Sequence, residues 1–223
     1  MQVKLPWKET SLELEVPDTW LLVTPEPAIE PLRKEKTEDA IVEDAMRNPH
    51  GGKPIRTNQL TGKKIVIVVD DNTRPTQAHK FFHLVMEALI AAGAAMENIV
   101  VVSALGIHTP MTETDMAEKI GAHNLSGLFW ENHDAFDESV NAFFGETGRG
   151  TPVYLNRHLK DADYVVLIGL IEPHFMAGFG GGMKNILPGL ASAETIGKHH
   201  EMRGQFPAGP QTGRRGHGLL AGG

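Results

Sequence analysis

Lys64-Ile65-Val66-Ile67-Val68-Val69-Asp70 (KIVIVVD, residues 64–70) decides the fold. Its apolar residues are all β-branched and do not alternate with polar ones. β-Branched side chains are stiff at χ1 and suit a pleated strand better than a helix. A strand with one wet face would alternate, so this run reads as a strand covered on both faces, as in a parallel sheet.

Working outward, Asp70-Asp71-Asn72-Thr73-Arg74-Pro75 leads into a helix expected over about 76–92, with Phe81, Val85 and Leu89 at four-residue spacing and Gly93 closing it. A second buried strand follows at 98–103 (NIVVVS). Strand, helix and strand in that order predict a parallel pair joined by a right-handed crossover. Next come the loop Gly106-Ile107-His108-Thr109-Pro110 and a helix over 112–121, with Thr112 as cap and Asp115 as its reciprocal partner. A strand is expected at 127–132 and a hairpin across 140–156 (NAFFGE…TPVYLN). After a turn at 157–161, a third buried strand spans 164–169 (YVVLIG), and a last helix covers about 190–203. The fold class is therefore α/β: a Rossmann-like, mainly parallel sheet with flanking helices.

Toward the N-terminus, residues 9–24 alternate and turn at Pro17-Asp18. They predict a short β-hairpin with strands near 10–16 and 20–24. A Pro- and charge-rich connector fills 25–35. A helix follows at 37–47, with Thr37 as cap and Ile41, Ala45 and Met46 facing inward. The expected organisation is a hairpin and connector packing on the main domain (1–35), an α/β cofactor-binding domain (36–203), and a weakly ordered Gly- and Pro-rich tail (204–223).

Composition narrows the function. A net charge of −7 leaves no electrostatic footprint for nucleic acid. No apolar run approaches a membrane span, and the N-terminus lacks the apolar core of a signal peptide, so a soluble, cytoplasmic protein is expected. With no cysteine, disulfides, thiolate nucleophiles and zinc–sulfur sites are excluded, and the eleven histidines become the natural proton carriers or metal ligands.

In a parallel sheet, ligands bind beyond the carboxyl ends of the strands. The polar clusters Asp71/Arg74, His108 and His174/Lys184 each follow such an end, so all can share one rim. Residues 70–75 read either as a capped turn or as an anion grip in which the Arg74 fork takes phosphate or carboxylate and Asp71 orients it or accepts a ribose hydroxyl. His108 and His174 could form an acid/base pair. The loop Gly178–Asn185 (GFGGGMKN) matches neither the P-loop nor the dinucleotide fingerprint. It reads as a flexible turn or as a phosphate cradle, with Lys184 as a point charge or a covalent amine. His199 and His200 are adjacent on a helix, about 100° apart, so one of them is expected to face the site. A single histidine makes a poor metal site, which favours a cofactor that brings its own donor atoms.

Together DDNTRP (70–75), GIHTP (106–110), EPH (172–174), GFGGGMKNILPGLAS (178–192) and the pair at 199–200 resemble, in order and spacing, the N-terminal part of the lactate racemase family. These are nickel-pincer nucleotide-dependent 2-hydroxyacid racemases and epimerases. The resemblance implies racemisation or epimerisation of a lactate-like 2-hydroxy acid by reversible hydride transfer to a lysine-tethered nickel-pincer nucleotide. That cofactor is pyridinium-3-thioamide-5-thiocarboxylic acid mononucleotide. Lys184 would carry it covalently, His200 would ligate the nickel, and Asp71, Thr73, Arg74, Gly180, Gly181 and Gly182 would lie against cofactor or substrate. His108 and His174 would be the catalytic acid/base pair. Cofactor-biosynthesis enzymes would be the partners. The resemblance covers only the family's N-terminal domain, so the expectation is either a fragment of a longer protein or a truncated or naturally short, weakly active form. The alternative is a non-catalytic nucleotide- or anion-binding paralogue.

Overall fold

The computed structural model describes residues 1–7, 10–21, 37–174 and 176–201. The chain divides into two compact units, Met1–Glu38 and Asp39–Gly223. The first holds β1 (Gln2–Trp7) and β2 (Thr10–Glu15), an antiparallel pair with Val3 opposite Leu14 and Leu5 opposite Leu12. A hairpin is present, but its partner differs from the sequence expectation: the strand near 10–16 pairs backward with 2–7. Pro17-Asp18 do form a turn, closed by Trp20 N–H to Pro17 O at 3.0 Å. Trp20 and Leu21 are not strand, and the rest of 20–24 lies outside the described residues. So do the 25–35 connector and the 204–223 tail.

α1 (Glu38–Arg47), all but its first residue in the second unit, lies where the sequence places a helix. Met46 alone of its three expected inward residues packs against the core. Ile41 and Ala45 are exposed. Next come β3 (Ile65–Asp70), α2 (Phe82–Ala91), β4 (Ile99–Ala104), α3 (Glu113–Ile120), α4 (Ala122–Leu125) and β5 (Phe129–Asn132). They are followed by β6 (Asn141–Glu146), β7 (Pro152–Asn156), β8 (Tyr164–Ile168), the two-residue β9 (Pro173–His174) and β10 (Gly178–Phe179), and α5 (Ala193–Glu201).

The main sheet is parallel, in the order β5-β4-β3-β8. All of β3 is buried because both faces are covered. Ile65, Ile67 and Val69 pack with Phe82, Val85, Met86 and Leu89 of α2 and with Met116 and Ile120 of α3. Val66 and Val68 pack on the other side with Leu190 and Ile186. Each fully buried aliphatic chain contributes about 1.5–3 kcal/mol. The hairpin β6–β7 and α5 close a third cluster around Leu155, Ala191 and Ile196.

Two helices start later than their patterns suggest. The helix expected from residue 76 is a 3₁₀ turn over Ala78–Lys80, then a break at Phe81 (φ −135°), then α2. The final helix begins at Ala193, because Ala191 and Ser192 are drawn into pairing with β7: Ser192 N–H donates to Tyr154 O at 3.0 Å. The capping box of α3 forms as expected, with Asp115 N–H to Thr112 Oγ1 at 3.1 Å and Thr112 N–H to Asp115 Oδ2 at 2.7 Å. Among the described residues, no helix is long and apolar enough to cross a membrane.

Candidate active site at the carboxyl rim

The chain leaves β3 toward β4 and β5, then returns to the opposite side of β3 as β8. This reversal opens a crevice beyond the carboxyl ends, where α/β sheets bind ligands. A cavity of about 300 Å³ lies there. Asp71 and Arg74 reach it after β3, His108 after β4, and Glu172, His174, Gly180, Gly181 and Lys184 after β8. His199 and His200 reach it from α5.

The loops are locked to one another. Gly106 N–H donates to Gly189 O at 2.8 Å, tying the β4 loop to the end of the glycine segment. Asn185 Nδ2 donates to Ile168 O at 2.9 Å and packs so closely on Gly169 that a Cβ there would stand 2.7 Å from Asn185 Nδ2. Beneath the rim, the buried carboxylate of Asp70 accepts from Lys119 Nζ at 3.1 Å, from Leu170 N–H at 3.2 Å and from Thr76 Oγ1. Lys119 also donates to Arg74 O at 2.9 Å. This buried pair pins β3, α3 and the β8 loop together.

Above it, Asp71 Oδ2 lies 2.5 Å from His108 Nδ1, while Asp71 Oδ1 accepts from Thr73 N–H at 2.9 Å and Thr73 Oγ1 at 2.5 Å. Burial raises the Asp71 carboxyl, but the hydrogen bonds from Thr73 and His108 outweigh it, so the group sits below the usual carboxylate value. Arg74 meets Glu172 Oε1 at 3.3 Å. Burial, then Arg74, pushes the Lys184 amine below its ordinary value against the opposing pull of Glu172. Burial lowers His174 as well, with the Lys184 and Arg74 charges acting the same way. Met176 N–H and Ala177 N–H both donate to His174 Nδ1 at 3.2 Å.

Of the residues expected at the site, Asp71, Arg74, His108, His174, Gly180, Gly181, Lys184 and His200 line the cavity. Thr73 stands behind Asp71, and Gly182 opens the 3₁₀ turn (Gly182–Asn185) that carries Lys184. At Gly181 (φ +67°) a Cβ would fall 2.4 Å from Leu170 O, so the loop's closeness to its own backbone already requires glycine there. His199 lines the cavity beside His200, their rings 5.8 Å apart, where one of the two was expected. Burial and His200 lower the His199 pKa. Sequence reading missed Lys119 and the partnership of Glu172 with Arg74, because nothing local marks either contact. Among the described residues, no three or more His, Asp or Glu gather to hold a metal. An amine, a guanidinium and two neighbouring imidazoles face one cavity, a donor set suited to an anionic organic group.

An open parallel sheet with a crevice at its carboxyl rim defines a Rossmann-like α/β domain. The family model for the lactate racemase N-terminal domain matches residues 7–208, and the chain belongs to that family. It is 29% identical over 198 residues to the lactate racemase of Thermoanaerobacterium thermosaccharolyticum, covering 89% of this chain and 46% of that protein. It is 31% identical over 175 residues to the lactate racemase of Lactiplantibacillus plantarum, covering 78% and 41%. The chain thus spans under half the length of these relatives. The structure of the T. thermosaccharolyticum lactate racemase apoprotein superposes with a TM-score of 0.73 at 30% identity, covering 88% of this chain and 45% of that one. A Thermotoga maritima protein matches at a TM-score of 0.59 and 26% identity, covering 75% of this chain and 41% of that one.

Proposed function

We propose that the chain is the cofactor-binding catalytic domain of a racemase or epimerase acting on a lactate-like 2-hydroxy acid. The observation that carries this reading is the convergence of Arg74, His108, His174, Lys184 and His200 on one cavity at the carboxyl rim, in a chain of the lactate racemase N-terminal domain family. The Arg74 guanidinium binds the substrate carboxylate, leaving C2 and its hydroxyl near the imidazoles. His108 and His174 move the hydroxyl proton.

The Lys184 amine, held below its ordinary value, is the group to tether a nickel-pincer pyridinium nucleotide, since the neutral amine is the nucleophile. When bound, that group would supply the hydride acceptor that an unactivated C2–H bond requires. His200 would be the protein ligand to its nickel, with Gly180, Gly181 and Gly182 alongside the nucleotide. Loading requires cofactor-biosynthesis enzymes as partners.

The test is intact-mass measurement after co-expression with those enzymes, together with chiral separation of a 2-hydroxy acid after incubation. An adduct on the wild type, its absence in Lys184→Ala, and interconversion of enantiomers by the wild type alone are expected. A chain that binds nucleotide but shows neither adduct nor interconversion is instead a non-catalytic binding paralogue.

A further inference from the structure

We infer that the two cavity histidines are not interchangeable: Asp71 positions His108 as a proton acceptor at Nε2, whereas the backbone of Met176 and Ala177 keeps His174 as a hydrogen-bond donor at Nε2. The chemical consequence rests on the racemase reading. The geometry does not.

Asp71 is 4% exposed at its side chain, and both of its oxygens have partners. An ionised carboxylate can only accept, so the His108 nitrogen facing it must carry hydrogen. Neutral His108 then bears its lone pair on Nε2. When the substrate O–H bond breaks and the proton joins Nε2, the new imidazolium still donates from Nδ1 to Asp71, and its charge is matched by a carboxylate already in place. The same logic governs an aspartate that orients a catalytic histidine in hydrolases. Thr73 is the second support, since its two donors fix Asp71 Oδ1 and turn Oδ2 toward His108.

His174 is held the opposite way. Two backbone N–H groups converge on its Nδ1, so that nitrogen must be bare and the neutral ring carries its hydrogen on Nε2. Protonating Nδ1 would set a third N–H against the two already there. The nearby Lys184 and Arg74 charges disfavour the cation further. Neutral His174 therefore donates a hydrogen bond from Nε2 in this resting state, and its turn as the second proton acceptor of the pair first requires releasing Met176 and Ala177 so that the hydrogen moves to Nδ1. Asp71 is thus a positioning residue acting through His108.

Asparagine at position 71 separates this role from a merely structural one. Thr73 would hold the amide oxygen where Oδ1 now lies, so the NH₂ would face His108 Nδ1 and force hydrogen onto Nε2. The experiment is long-range ¹H–¹⁵N NMR of the ¹⁵N-labelled 223-residue chain without cofactor, with His108→Gln and His174→Gln to assign the rings. The expected spectrum shows His108 as the Nδ1–H tautomer and His174 as the Nε2–H tautomer. In Asp71→Asn, His108 switches to Nε2–H while His174 is unchanged. Nε2–H at His108 or Nδ1–H at His174 in the wild type overturns the inference, as does a folded Asp71→Asn protein in which His108 keeps Nδ1–H. If Asp71→Asn does not fold, the wild-type spectrum decides alone. In cofactor-loaded protein, Asp71→Asn is expected to lower kcat by about 10²–10³-fold with little change in KM. The tautomers are read without turnover, so absence of racemisation would sink the functional reading and leave this assignment standing.

Discussion

Asp70 and Asp71 are neighbours in sequence with opposite surroundings. Asp70 lies beneath the rim, its carboxylate enclosed by Lys119, Thr76 and the Leu170 N–H. Asp71 lies above it, braced by Thr73 and turned toward a histidine that is 48% exposed at the cavity. The residue type is the same, and the partners decide the task. The lower layer spends a buried charge pair on joining three elements, which matters to folding. The upper layer spends its carboxylate on the orientation and proton inventory of one imidazole, which matters to chemistry.

This contrast can be broken most forcefully from below. Lys119→Met leaves Asp70 buried without its cation, and removing one partner of such a pair costs about 3–5 kcal/mol. Urea denaturation should show that loss. A change under about 1 kcal/mol would mean that the lower layer is not a brace. The mirror experiment is Asp71→Asn, with its large loss of turnover set against a much smaller loss of denaturant midpoint. If both variants lose stability equally, the two layers do not differ in role.

His133 sharpens the contrast through pH. It is buried, with Nε2 bonded to Ala191 O at 3.0 Å. Burial holds its pKa below the ordinary histidine value, against the pull of Ala191 O and the nearby acids Asp134 and Glu131. The neutral form is the one that fits. Between its folded value and about 6.5, the unfolded chain binds a proton that the folded chain refuses, so stability falls as pH drops through that window and is fully present above it. Denaturation at about pH 8 and about pH 5.5 should show this fall, and His133→Gln should flatten it. An unchanged slope in the variant would assign the fall to other groups.

How much of this was legible in the sequence follows the range of each interaction. β3 and β4 were readable because burial on both faces writes an unbroken apolar run. β8 carries the same kind of run but is not the buried strand expected at 164–169: it lies at the sheet edge, with Val165 exposed and only Ile168 buried. The α3 cap was readable because its partners are three residues apart. The hairpin partner was not. The strand near 10–16 alternates, but whether it pairs with 2–7 or 20–24 is not a local property, and the charged Lys4 and Pro6 hide the true partner. The rim residues were visible as polar clusters after strand ends. Lys119 looked like any charged residue on an amphipathic helix, because its burial depends on Asp70 across the fold. Gly181 was readable as a permissive residue, but the reason found, the approach of Leu170 O, needs the folded loop.

The smallest expected effect lies where the two layers meet. The Thr112–Asp115 capping box starts the helix that carries Lys119, and Asn72, next to Asp71, donates to Asp115 Oδ1 at 3.2 Å. Thr112→Ala removes the side-chain acceptor of the first turn, at a cost of about 1 kcal/mol. Asp115 can still accept from the backbone N–H of residue 112 and from Asn72, so the rim should keep its geometry. The expected result is a modest drop in denaturant midpoint with the His108 tautomer unchanged. If the tautomer shifts as well, α3 transmits strain to Asp71 and the two layers are mechanically coupled. If it does not, the upper layer depends on the lower only through the shared strand end at Asp70-Asp71, and Thr73 alone suffices to hold the dyad.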